Sequence, residues 1–489
     1  MSTAPESGRI VNGHASGILA NTAYRAIADL VSKLCSALLF VVMARKLGGE
    51  GFGVFTFALA FVTLVTALAD FGQDATLTRE VSRDLGRVHR YFTNTLTLKV
   101  VLALPALAVA LGIGRAAGFS GKTAAVAALL GIGVVADQLN LTCASVFQAF
   151  ERLVYLPIAL ISQRLFTAIV GVAALIAGAG VVAVAAIYLV GSILGLAIAL
   201  LFLVRRIVRP QVLVDRRMWW PLMRAAAPIG LAGVFGAVIA RVDIAMLAGY
   251  KSATIVGSYG AAYRLYETTF FLAWGVGAAV YPVLARIAFQ TPERTASVYE
   301  RSLKLVVALT LPLAVGAIVL GPGVIKLLYG QEFELAGPAL QLLGPGMALF
   351  PIGYICGYLL VANNRQRTMS VVFGIVALEN IVGNLVLIPW LSLKGAALGN
   401  SVSQAILAGL LVWFSRPLVG RLRWARSLFG PSVATGLAAI VMVVLRDSTG
   451  TAIAAGAAVY VVALLTLEQL VFPEDAHALW TFFRAARVG

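Results

Sequence analysis

Gly17-Ile-Leu-Ala-Asn21-Thr-Ala-Tyr-Arg25-Ala-Ile-Ala-Asp29-Leu-Val-Ser-Lys33-Leu-Cys-Ser-Ala-Leu-Leu-Phe-Val-Val-Met-Ala-Arg45 decides the fold. The run exceeds the ~20 apolar residues needed to cross a bilayer core. Its polar groups Asn21, Arg25, Asp29 and Lys33 recur every four residues, so a helix stacks them into one stripe on an otherwise apolar cylinder. Such a helix belongs in a membrane and faces something polar there.

Outward from this stretch the pattern repeats. Apolar runs lie near 17–45, 52–77, 93–114, 123–148, 154–178, 181–204, 222–249, 254–285, 303–320, 335–362, 369–390, 395–415, 428–445 and 451–472. The sequence therefore predicts an all-α polytopic membrane protein of about 14 transmembrane helices. Composition agrees: 60% of the 489 residues are hydrophobic, 12% are charged, and mean hydropathy is +0.93. Soluble domains run at about 45–50% apolar and about 25% charged.

The net charge of +17 would suggest nucleic acid in a soluble chain, but most of the basic residues sit between the apolar runs, so no nucleic-acid partner is expected. With the N-terminus inside, cytoplasmic segments hold 24 of the 38 Lys and Arg and outer loops hold 8; positive residues stay on the cytoplasmic side. Both termini are expected in the cytoplasm, and the protein in the cytoplasmic (inner) membrane of the cell envelope.

Gly53-Val-Phe-Thr-Phe-Ala58, after helix one, resembles Gly257-Ser-Tyr-Gly-Ala-Ala262, after helix seven. Internal repeats of this kind mark transporters in which two helix bundles rock about a central site. The chain divides accordingly into a cytoplasmic segment 1–16, an N-lobe 17–206 (helices one to six), an inter-lobe loop 207–221, a C-lobe 222–415 (helices seven to twelve), an appended pair 428–472 and a cytoplasmic tail 473–489.

A charge near the bilayer centre costs about 2.5–3.5 kcal/mol on insertion scales, so each needs a partner or a watery cavity. Arg25, Lys33, Arg241 and Arg264 would give a cavity between helices one, seven and eight a cationic lining, which suits phosphate or pyrophosphate. Tyr259, Tyr263 and Tyr266 share one face of helix eight. Tyr263 and Tyr266 are candidates for stacking on sugar rings, although ordinary helix packing explains the same spacing. Asp29, Asp137, Asp243 and Glu267 are candidates for ion pairing and for coupling to a proton or Na⁺. Asp70, Asp74 and Arg79 close helix two, where they would set topology or gate the inner mouth.

Metal and enzyme chemistry find little support. Cys35, Cys143 and Cys356 fall in separate apolar runs, and His14, His89 and His477 are far apart, so neither a metal cluster nor a catalytic constellation is expected. Ala116-x4-Gly121-Lys122-Thr123 mimics a loosened phosphate-binding loop without the strand that motif requires.

Several stretches resemble the oligosaccharide flippases of the Wzx-like branch of the multidrug/oligosaccharidyl-lipid/polysaccharide (MOP) exporter superfamily. They include Ser32-Lys33-Leu34 with Ala44-Arg45-Lys46-Leu47-Gly48, Ala69-Asp70-Phe71-Gly72 with Thr78-Arg79-Glu80, Phe147 to Arg152 with Tyr155, and Arg241-Val-Asp243 with Ala261-Ala-Tyr263-Arg264-Leu265. Tyr281-Pro282-x-Leu284-x-Arg286 and Ala362-Asn363-Asn364-Arg365-Gln366 extend the likeness over about residues 20–415.

The resemblance implies a non-enzymatic flippase that moves a polyprenyl-(pyro)phosphate-linked oligosaccharide by alternating access for cell-surface polysaccharide assembly. Membrane lipids and the polysaccharide polymerase and export machinery are the implied partners, with no cofactor beyond a coupling H⁺ or Na⁺. A lipid II-type or drug antiporter of the same superfamily is the alternative. A membrane-embedded glycosyltransferase fits less well, because Glu50, Glu332, Glu334 and Asp447 are the outer-loop carboxylates available.

Overall fold

The computed structural model describes residues 7–471 except 117, 153, 210, 212, 288–291 and 420–423, with backbone alone for 7–30, 156, 278, 279, 282, 285, 292–294 and 424–426. Among the described residues the chain is helical throughout. Twelve helical stretches are long and apolar enough to cross a membrane. One of them, Val31–Arg83, is 53 residues long, which at about 1.5 Å per residue is far more than a bilayer is thick.

Helix α1 (Ser7–Asp70) turns back at Gly48, whose φ of 67° is left-handed and whose missing Cβ leaves 2.7 Å to Glu332 Oε1. Any side chain there would be strained and would collide. The 53-residue stretch is therefore two passes. Helices α8 (Ala253–Tyr266) and α9 (Thr268–Ile287), which meet at Glu267, make one more pass. Among the described residues the fold is an all-α membrane bundle of 14 passes.

Two sequence expectations shift here. The second helix does not run on to residue 77: its arm ends at Asp70, and Phe71 (φ 37°) and Gly72 (φ 72°) kink the chain into α2 (Gln73–Arg83). Nor is helix eight continuous, because Glu267 caps α8. The first break falls at two positive-φ residues and the second at a single charged residue, and an apolar-run count smooths over both.

In the first lobe α1 packs on α3 (Val88–Ala116), α4 (Gly121–Ala149), α5 (Tyr155–Ile176) and α6 (Val181–Phe202). The second lobe joins α7 (Trp219–Tyr250), α8, α9, α10 (Pro292–Tyr329), α11 (Ala336–Ala362), α12 (Gln366–Leu391) and α13 (Leu393–Val419). Helices α14 (Trp424–Val444) and α15 (Thr449–Val471) pack on each other and on α10. Lys304 ties α10 to Glu468 of α15, and Tyr460 donates 2.5 Å to the Ala308 carbonyl. Many large apolar side chains point outward, Trp390 at 87% and Leu470 at 76% exposure. That surface suits lipid and would be a liability in water.

The linker between lobes is pinned to α3. Buried Asn94 donates to the Leu213 carbonyl at 2.8 Å and accepts from the Asp215 amide at 2.9 Å and the Trp219 indole at 3.1 Å. Arg90 donates 2.8 Å to Asp215 and, with the Arg217 amide, holds that carboxyl below its ordinary range.

Candidate functional site

The lobes meet where the repeats cross. A Cβ on Gly53 would lie 1.7 Å from the Ala253 carbonyl, and one on Gly257 would lie 2.2 Å from the Gly49 carbonyl. The second arm of α1 and α8 therefore touch backbone to backbone through equivalent residues. Two reciprocal caps strengthen this Gly48 end. Arg45 donates 2.7 Å bonds to the Leu327 and Leu328 carbonyls at the end of α10, and Glu332 accepts the Gly49 amide at 2.6 Å. Cations at helix C-termini and carboxylates at N-termini are the favourable arrangement. Phe52, Tyr329 and Phe333 fill the space behind them.

At the opposite, Gly72 end the lobes bring backbone against backbone at Gly72 and Gly230 of α7. A Cβ on Gly230 would sit 2.4 Å from the Phe71 carbonyl. Gln73 adds a weak 3.7 Å contact to the Met223 sulfur.

Between these ends lies the charged group. Glu267, at the α8/α9 break, accepts from both Arg241 of α7 (2.8 Å) and Arg264 of α8 (2.7 Å). Arg264 also stacks 4.0 Å above the Phe40 ring of α1, so this guanidinium touches both lobes. The Lys33 ammonium is 5.5 Å from the centre of the Trp274 ring of α9. Among the described residues, two guanidinium groups share the single Glu267 carboxylate, in a place where the field of each is strong. The side chains of Arg25 and Asp29 lie outside the described residues.

A family model described as polysaccharide biosynthesis protein matches residues 18–288, over half of the chain. The chain belongs to that family. A second model, MatE, matches residues 228–386. Among curated proteins the chain is similar to the probable low-salt glycan biosynthesis flippase Agl15 of Haloferax volcanii, 23% identical over 367 residues that cover 74% of this chain and 76% of that one. Among solved structures it is similar to the lipid II flippase MurJ in an inward closed conformation, with TM-score 0.76 and 16% identity over 91% of this chain and 98% of that one. An inward-facing multidrug resistance MATE family transporter of the MOP superfamily gives 0.63 and 15% over 80% and 98%. At such identities the structures bear on the fold alone; with the family matches they make this a membrane protein of the MOP superfamily.

Within this family scaffold the remaining candidates fall into separate places. Tyr259 gives its hydroxyl to Asp243 in a short bond, and Tyr263 donates 2.7 Å to the Ala240 carbonyl. Tyr263 is 1% exposed and Tyr266 fully buried, their rings continuing into Phe270 and Phe350. In this conformation the stripe packs the second lobe and reaches no open space, although Tyr263 flanks Arg241 at 5.8 Å. Asp243 is fully buried beside Asn400, near a polar group in which Asn380 donates 2.8 Å to Ser403 and Ser403 2.7 Å to Glu379. Asp137 is held inside the first lobe by neutral donors, Gln163 at 2.7 Å and Tyr188 at 2.6 Å.

Asp70 and Asp74 face inward to Lys99 of α3, at 2.6 and 2.7 Å, and Thr142 donates 2.8 Å to Asp74. Lys99 is 1% exposed. Arg79 instead pairs with Glu80 at the surface, at 3.2 Å. Sequence reasoning passed over Lys99; a single cation inside Leu96-Thr-Leu-Lys99-Val-Val-Leu102 was the available signal, by the same rule that singled out Arg241. The Arg45 and Glu332 caps had no such signal, because they join positions far apart in sequence.

Proposed function

We propose that this protein flips a polyprenyl-phosphate- or pyrophosphate-linked oligosaccharide from the inner to the outer leaflet of the cytoplasmic membrane, for cell-surface polysaccharide assembly. The observation that carries this reading is the single Glu267 carboxylate shared by two arginines, Arg241 and Arg264, the latter stacked on Phe40 of the opposite lobe. A phosphate arriving there can take the arginine donors that Glu267 does not fill, through charge-assisted bonds. The similarity to Agl15, described as a glycan biosynthesis flippase, supports the same class of cargo.

Both termini are then cytoplasmic, so the Gly72 end faces the cytoplasm and the Gly48 end the outside. In this conformation glycine contacts close both ends over the cations. Parting Gly72 from Gly230 admits the headgroup, and parting Gly53 from Gly257 releases it, which is alternating access. Uptake of H⁺ or Na⁺ at Asp29, Asp137, Asp243 or Glu267 would drive the cycle by changing the charge opposite the arginines. The polymerase and export machinery would receive the product.

The MatE match favours a drug antiporter as the second reading. A pocket for cationic drugs needs an excess of carboxylate, and this site has the reverse. The test is depletion of the protein in cells, followed by assay of lipid-linked sugars. Inner-leaflet accumulation that neither Arg241→Ala nor Arg264→Ala rescues, at normal membrane insertion, is the expected result. Normal lipid-linked sugar levels after depletion would sink the flippase reading.

A further inference from the structure

Beside the Gly53/Gly257 crossing is a cavity of about 530 Å³ lined by both lobes, within the ~300–1,000 Å³ range of ligand pockets. Its first-lobe wall is aromatic. Phe119 meets Phe57 at 5.2 Å and Phe61 at 5.6 Å, ring edge to ring face. The chain arranges this deliberately at the α3–α4 turn. Gly118 adopts φ 94°, and Gly114 has no side chain because its Cβ would be 2.5 Å from the Phe119 ring.

On the second-lobe wall α7 presents the small residues Ala245, Ala248 and Gly249 beside Met246, and α8 adds Ala253 and Val256. Ala245 is one helical turn from Arg241, about 6 Å along the axis, so the cavity continues the α7 face that carries the cationic site toward the Gly48 end. Its polar edge has Ser120, Thr123 and Lys251. Lys251 is half-exposed and donates to the Pro389 carbonyl at 3.4 Å. From Gly53 to Phe61 the apolar depth is eight residues, about 12 Å of helix, close to half of a hydrocarbon core ~30 Å thick.

A cation at the membrane end above an apolar slot about one leaflet deep matches a lipid phosphate already oriented in that leaflet. We infer that this cavity holds the lipid chain of the translocated carrier after its headgroup has crossed, with the phosphate at Lys251 and the chain between the phenylalanines and the small-residue face of α7. The inference rests on the flippase reading. Its location favours the carrier over a bulk phospholipid: both lobes form the walls, so movement of the lobes reshapes the cavity, whereas a structural lipid can sit on one lobe. The cavity couples release to closure, because a chain lodged there lies against Gly53, Ala253 and Val256 where α1 and α8 must part or rejoin.

The test is photolabelling of the purified full-length protein with a benzophenone-bearing polyprenyl phosphate. Label is expected on the α1 peptide containing Phe57 and Phe61 or on the α3–α4 turn, and an excess of unlabelled polyprenyl phosphate should remove it. Ala248→Trp, which fills the slot, should cut labelling about tenfold. Lys251→Gln should cut it about threefold, as fits one half-exposed charge, and keeps the inference testable if the tryptophan variant fails to fold. Equal competition by phosphatidylglycerol, label elsewhere in the chain, or labelling unchanged in both variants would each overturn the inference. The flippase reading fails separately. If depleted cells accumulate no lipid-linked sugar while the label still maps here, transport falls and the lipid site stands; if Arg264→Ala abolishes transport while the slot variants label and transport normally, the reverse holds.

Discussion

The two lobe contacts are built alike at their centres and differently around them. At each, glycine brings backbone against backbone, Gly53 with Gly257 at one end and Gly72 with Gly230 at the other. At the Gly48 end, that contact is reinforced by reciprocal helix caps and buried rings from the opposite lobe. At the Gly72 end, Lys99 grips the carboxylates on either side of the Phe71-Gly72 kink from within the first lobe, and the Trp219 indole of α7 donates to Asn94 of α3 beside the linker. The difference teaches that the first end is latched by charged caps at the crossing itself, whereas the second is a preformed kink whose hydrogen bond to the other lobe, Trp219 to Asn94, lies at the start of α7. The Gly72 end should open more easily.

The largest effect is expected from Lys99→Met. It leaves two half-buried carboxylates, Asp70 37% and Asp74 19% exposed, without their cation, a loss of about 1–3 kcal/mol, read as lower thermal stability of the purified protein. Adding Asp70→Asn and Asp74→Asn should restore most of it. If Lys99→Met alone is neutral, the kink does not depend on the triad and the comparison loses one side.

Next come the glycines. Gly53→Ala and Gly230→Ala both force a backbone to move, at about 1–3 kcal/mol. Their directions should be opposite: Gly53→Ala should expose a cysteine introduced near the Gly48 end to a membrane-impermeant thiol reagent, and Gly230→Ala one near the Gly72 end. Identical labelling patterns would show that the two contacts are not separate gates. The smallest effect belongs to Arg45→Ala, which removes two charge-assisted bonds at an exposed position, about 1–2 kcal/mol. It should raise labelling at the Gly48 end about tenfold or less, and no change would mean that the glycine crossing alone holds that end.

Much of the fold was legible because lipid enforces it. Apolar runs of bilayer length cannot be placed otherwise, and the likeness of Gly53–Ala58 to Gly257–Ala262 named the two segments that cross. The pair Arg264 and Glu267 was legible from its i, i+3 spacing, and the structure adds Arg241 to it. Lys33 and Arg264 could be assigned to a common region from charge alone, but the stacking on Phe40 and Trp274 required the third dimension. The tyrosine stripe shows the limit most clearly. Its spacing fixes which side chains share a face of α8, while the direction of that face depends on where α8 leans, set by glycines on another helix. Kinks at Phe71-Gly72 and Glu267 were hidden for a related reason, since hydropathy averages over single residues and backbone breaks do not.

Position 53 facing position 257 is the geometry of an isologous dimer, in which one patch meets its own copy across a two-fold axis. Here the two copies are covalently joined, and the axis survives as a seam within one chain. Such a seam constrains inheritance: a bulkier residue on either half meets the backbone of the other, so the two glycines cannot drift independently, and the halves must evolve as mutual templates while the sites around them diverge.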